Sequence, residues 1–146
     1  MQIMLPDLAA MERWGAAIAD ALRPGDVVAL NGGLGAGKTT LARAIIAALG
    51  HEGEVPSPSF AIIEPYDGLR FPLVHADFYR LADPSEAEEL GLDDYRDGGV
   101  LIAEWPQMAG GFAHEPGCLS ITLETADEGR RAIVEPGADW LGRGPC

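Results

Sequence analysis

Residues 26–50 read DVVALNGGLGAGKTTLARAIIAALG, and this stretch decides the fold. Asp26 to Asn31 is a short aliphatic run with β-branched valines, bounded by turn residues, which predicts a buried strand. Thr39 to Leu49 is rich in helix formers, and Gly50 stands where a glycine ends a helix. Between them Gly32-Gly33-Leu34-Gly35-Ala36-Gly37-Lys38-Thr39 satisfies G-x-x-x-x-G-K-[ST] in full. Glycines let backbone N–H groups approach an anion with no Cβ in the way. The N-terminus of the following helix adds its dipole and unpaired donors. At average residue frequencies, the four fixed positions match by chance in roughly one chain in 200 of this length. The flanking strand and helix sharpen the match: this is a phosphate loop. Lys38 is expected to neutralise β- and γ-phosphates and the Thr39 hydroxyl to ligate Mg²⁺.

The inventory of cations selects among phosphate-loop proteins. Nine of the ten basic residues are arginine, and Lys38 is the only lysine. A compact ammonium differs from a wide guanidinium fork, so position 38 asks for the point charge. Guanine recognition through an N-K-x-D motif needs a second lysine. Asn31, the only asparagine, directly precedes the loop. ATP is therefore the expected nucleotide.

Outward from the loop, the chain predicts one α/β domain over residues 1–146, on a mixed, mainly parallel sheet flanked by helices and antiparallel hairpins. Asp7 is a candidate N-cap for a helix to about Leu22, with Leu8, Met11, Ala16 and Ile18 as its apolar stripe. Phe60–Glu64 and Arg70–Ala76 read as strands around a Tyr66-Asp67-Gly68 turn, and Pro84–Leu90 as a short acidic helix. Val100–Trp105 reads as another buried strand. Leu119–Glu124 and Arg130–Glu135 alternate in polarity around a turn, which predicts a C-terminal hairpin.

Two predicted strands deliver acids to their C-terminal ends, where ligands gather in α/β folds. LVHAD ends in Asp77 and VLIAE ends in Glu104, the second being the better match to a magnesium-binding strand end. Ser57 and Ser59, framed by Pro56 and Pro58, offer hydroxyls on a stiffened loop that could act as a switch. His75 either orients Asp77 or packs. Arg80, Arg130 and Arg131 are candidate phosphate or partner contacts.

The charge balance removes other classes. With 10 basic and 23 acidic residues the net charge is −13 and the isoelectric point about 4.4. Stand-alone nucleic-acid binders carry a basic stripe, so direct DNA or RNA binding is not expected. Residues 74–146 hold 5 basic and 15 acidic residues, and Asp83–Asp97 alone holds seven acids. No apolar stretch is long enough for a membrane span, and the first residues show no basic leader. Cys118 and Cys146 lack metal or disulfide-framework spacing, which fits a reduced, cytoplasmic protein.

Four segments in this order, GGLGAGKTT (32–40), SPSF (57–60), HADFYRLADP (75–84) and EWP (104–106), resemble the TsaE (YjeE) family of P-loop ATPases. That family is required for threonylcarbamoyl-adenosine modification of tRNA. The resemblance spans roughly residues 5–135. It implies that Gly32, Gly35, Ala36, Gly37, Lys38, Thr39 and Thr40 hold the phosphates of ATP or ADP. It also implies that Thr39 and Glu104 coordinate Mg²⁺ and that Asp77 is needed for hydrolysis. Ser57–Phe60 becomes the switch-like loop, and Trp105 lies beside the site. The implied partner is the TsaB–TsaD complex, reset by ATP hydrolysis between turnovers. Gly33 and Ser59 depart from the family's usual acidic residue and threonine. The alternatives left by the residues themselves are a small nucleoside or nucleotide kinase, and a nucleotide-dependent interaction module without essential hydrolysis.

Overall fold

In the computed structural model, residues 1–56 and 62–145 are described; Ser57 and Ser59 lie outside them. Seven strands form one sheet: β1 (Gln2–Leu5), β2 (Val27–Asn31), β3 (Ile63–Tyr66), β4 (Leu73–Asp77), β5 (Val100–Glu104), β6 (Cys118–Thr125) and β7 (Arg130–Pro136). Their spatial order is β1-β7-β6-β2-β5-β4-β3. The parallel pairings β6–β2, β2–β5 and β5–β4 occupy the centre, and the antiparallel pairings β1–β7, β7–β6 and β4–β3 the flanks. The C-terminal edge of the parallel centre is therefore one continuous ledge.

Side chains alternate across these strands with a period of two, and the alternation sorts the core into two layers. Val28, Leu30, Val100, Ile102, Leu119 and Ile121 face one side, where α1 (Leu8–Ala21) and α2 (Lys38–Ala48) cover them. Val27, Ala29, Leu101, Ala103, Val74 and Ala76 face the other, against Phe78, Leu81, Ala87, Leu92 and Phe112. That layer includes two short helices, α3 (Ser85–Glu89) and α4 (Leu92–Arg96). By the same alternation, His75, Asp77 and Glu104 belong to the α2 side of the sheet.

Asp7 caps α1 as expected, its Oδ1 accepting from the Ala10 N–H at 2.8 Å. The buried face of α1 is Met11, Trp14, Gly15 and Ile18, whereas Leu8 is exposed. The expected Phe60–Glu64 strand is described as Ile63–Tyr66, and its partner begins at Leu73, later than expected. Residues after β7 pass the starts of β6 and β2 and reach α1. The Trp14 indole donates to Pro145 O at 2.9 Å, and Arg143 pairs with buried Asp26 at 2.5 Å. None of the described helices is long and apolar enough to cross a membrane.

Gly15 sets how closely α1 approaches α2. A Cβ there would lie 2.6 Å from the Ala44 Cβ. Helix axes packed this tightly cannot absorb a larger side chain without moving apart. Gly15→Leu is expected to lower stability by about 1–3 kcal/mol, read as a lower urea midpoint. An unchanged midpoint would show that the helix contact gives way freely.

Candidate nucleotide site

The phosphate loop joins β2 to α2. Gly32 has φ +138°, and a Cβ there would lie 2.5 Å from the Leu123 carbonyl oxygen, so only glycine leaves the strand this way. Gly37 precedes α2 in a left-handed conformation and supplies no side-chain cap. The first N–H donors of α2 are thus left to an incoming acceptor, and the helix dipole favours an anion there.

Lys38 is 6% exposed, and its ammonium donates to the carbonyls of Gly32 at 2.9 Å and Gly33 at 2.8 Å. Burial pushes its pKa down from the usual lysine value, while the Glu104 and Asp77 carboxylates pull it partly back. Its Nζ also sits 4.5 Å from the centroid of the Trp105 ring. An ammonium has three donors, so one remains beyond the two loop carbonyls.

β4 and β5 place the acids. Asp77 and Glu104 are register partners on adjacent parallel strands, and Leu30 of β2 is the register partner of Glu104 on its other side. Glu104 is 2% exposed, yet both carboxylate oxygens are engaged. Oε1 accepts from the Thr39 hydroxyl at 2.8 Å, and Oε2 lies 2.6 Å from His75 Nε2. A carboxylate oxygen accepts, so the ring donates from Nε2. His75 is wholly buried, and its Nδ1 has no partner among the described residues. The sequence left His75 either packing or orienting Asp77; its hydrogen bond goes to Glu104. Asp77 Oδ1 accepts from the Tyr79 N–H at 3.0 Å, and Asp77 lines the cleft together with Lys38, Thr39 and Glu104.

This cleft has a volume of about 290 Å³. Next to it lies a recess of about 210 Å³, lined by Leu5, Leu8 and Met11, which shares Gly37, Thr40 and Arg130 with the cleft. Nothing in sequence spacing ties β1 and α1 to the loop, so this recess was not legible there. Trp105 adopts φ 55°, ψ 51°, a left-handed conformation costly for a bulky residue. The turn swings its ring over Lys38 and within 4.8 Å of the Tyr79 ring.

A family described as "Threonylcarbamoyl adenosine biosynthesis protein TsaE" matches residues 5–133. The chain belongs to the TsaE family. A TsaE from Haemophilus influenzae is 36% identical over 132 residues, covering 86% of this chain and 83% of the relative. One from Synechocystis is 40% identical over 112 residues, covering 73% and 71%. Both are named tRNA threonylcarbamoyladenosine biosynthesis protein TsaE. The crystal structure of YdiB from Bacillus subtilis superposes with a TM-score of 0.79 at 28% identity, covering 98% of this chain and 90% of that one.

In this TsaE chain the Trp105 ring reports on Lys38. Addition of ADP is expected to change tryptophan emission, because a phosphate draws the ammonium from the ring. Trp105→Phe should abolish that change, since the Trp14 and Trp140 indoles are buried and bonded to Pro145 O and Gly117 O. A change that survives Trp105→Phe contradicts the placement.

Proposed function

We propose that this chain is a Mg²⁺-dependent ATPase whose turnover drives or resets the TsaB–TsaD complex during threonylcarbamoyl-adenosine modification of tRNA. The family assignment supports the pathway. The observation that carries the catalytic reading is the 2.8 Å contact between the Thr39 hydroxyl and Glu104 Oε1, beside the Lys38 ammonium. Two hard oxygen donors next to a phosphate loop suit Mg²⁺, which is held by few protein ligands and completes its shell with phosphate oxygens and water.

Each residue then has a chemical task. The loop N–H groups left free, together with the start of α2, bind phosphate oxygens, while the Ala36 N–H closes the loop on Gly33 O. Lys38 offers its remaining donor to the β- and γ-phosphates. Thr39 and Glu104 would hold Mg²⁺, whose charge offsets the charge that develops on the transferring phosphoryl group. His75 fixes the rotamer of Glu104. Asp77, beside Glu104 at the strand ends, positions or activates the attacking water. The apolar recess beside Gly37 and Thr40 suits a flat base, and the lone lysine leaves no N-K-x-D reader for guanine. The net charge of −13 favours leaving the tRNA to the partner proteins.

Asp77→Ala is expected to bind ATP nearly as well as the wild type while hydrolysis falls by about 100-fold or more. Lys38→Ala should lose binding, because buried phosphate charge is left without a counter-charge. The deciding experiment measures ATP turnover alone and with purified TsaB–TsaD. Slow turnover that rises several-fold with the partners supports the proposal. Full activity in isolation, unchanged by them, argues against it. Phosphate transfer from ATP to a small acceptor would indicate a kinase, and tRNA modification sustained by Asp77→Ala would indicate a binding switch.

A further inference from the structure

Arg130 opens β7 and is 94 residues distant in sequence from the loop it touches. Its guanidinium donates from Nε to Ala36 O at 3.0 Å and from Nη2 to Gly35 O at 3.1 Å. Its Nη1 donates to Gly129 O at 3.1 Å, which ties the fork to its own hairpin turn. Lys38 holds the other half of the loop, through Gly32 O and Gly33 O. Two cations therefore hold the loop by its carbonyls, one for each half.

We infer that Arg130 is a positioning residue for nucleotide binding: it clamps the second half of the phosphate loop into its anion-receiving form. The inference rests on the nucleotide-site reading above and adds to it a part contributed by the C-terminal hairpin. Its physical basis is the planarity of the trans peptide, in which C=O and the following N–H point opposite ways. Pinning Ala36 O toward Arg130 directs the Gly37 N–H away from it, and pinning Gly35 O does the same for the Ala36 N–H. Ala36 N–H is then placed to close the loop on Gly33 O at 3.2 Å. Gly37 immediately precedes α2, where the orphan donors collect. Two adjacent carbonyls need a planar fork; a lysine ammonium is a point charge on a flexible stem and does not reproduce that grip. Arg130 also walls both the phosphate cleft and the neighbouring recess, so the clamp lies where the two meet.

Isothermal titration with ADP and Mg²⁺ tests this in Arg130→Ala, Arg130→Lys and Arg131→Ala. Arg131 forks onto Glu124 at 2.7 and 3.1 Å instead of onto the loop. Both Arg130 variants are expected to lose affinity at least about tenfold, the scale of hydrogen bonds to a charged group, and Arg131→Ala to keep it. In steady state, KM for ATP should rise by a similar factor while kcat changes much less. Thermal melts without nucleotide establish that each variant is folded, and the milder Arg130→Lys keeps the test valid if the alanine variant is not. Wild-type affinity in either Arg130 variant overturns the clamp, as does a fall in kcat as large as the rise in KM. Lys38→Ala measured alongside separates the two readings. If it too binds ADP normally, the nucleotide site itself is misassigned. If it fails to bind while the Arg130 variants bind normally, the clamp alone is wrong.

Discussion

A carboxylate 2% exposed to solvent must have a partner for each oxygen, and Glu104 has them: the Thr39 hydroxyl on one side and the His75 imidazole on the other. Burial of such a group unpaired costs several kcal/mol. The chain reaches that pairing by bringing three separate segments to one point. Thr39 is there because β2 runs straight into a glycine loop and α2. Glu104 is there because β5 lies directly beside β2. His75 is there because β4 lies on the far side of β5, and the period of two turns its ring to the same face. Shifting any of these strands by one residue would turn its polar group to the opposite face of the sheet and leave Glu104 short of a partner.

Around this carboxylate the Lys38 ammonium sits with two acids, Glu104 itself and Asp77. Lys38 is buried enough for its pKa to be depressed, and the acids beside it offset only part of that. A phosphate entering the cleft would add a negative charge that further favours the ammonium form of Lys38. The loop itself is held between two cations, Lys38 on its first carbonyls and Arg130 on its last. The antiparallel flank that carries β7 is thus more than a cover for the parallel centre. It reaches the phosphate loop through Arg130.

Much of this was legible from residue order. The strand, loop and helix of residues 26–50 declare themselves because glycine spacing and helix propensity agree locally. The Asp7 cap and the strand-ending acids are equally local signals. β1 escaped because Gln2–Leu5 is an edge strand with only Leu5 buried, and α4 because five residues carry too little periodicity. The strand expected at Phe60–Glu64 overlaps residues 57–61, and its described part starts at Ile63. At the site, Lys38, Thr39, Asp77 and Glu104 could each be named in advance and do line one cleft. The partner of His75 could not, since alternation gives its face but only strand register gives its neighbour. Arg130 was one of several arginines until the fold carried β7 past the loop.

The magnesium seat proposed for Thr39 and Glu104 would be completed only by nucleotide phosphates. Its most direct test is the Mg²⁺ dependence of ADP affinity, measured by calorimetry in the wild type and in Glu104→Gln, which keeps the shape and removes the charge. Mg²⁺ is expected to tighten ADP binding in the wild type and to have little effect in Glu104→Gln, with metal-free binding similar in the two. Equal Mg²⁺ enhancement in both proteins would contradict it.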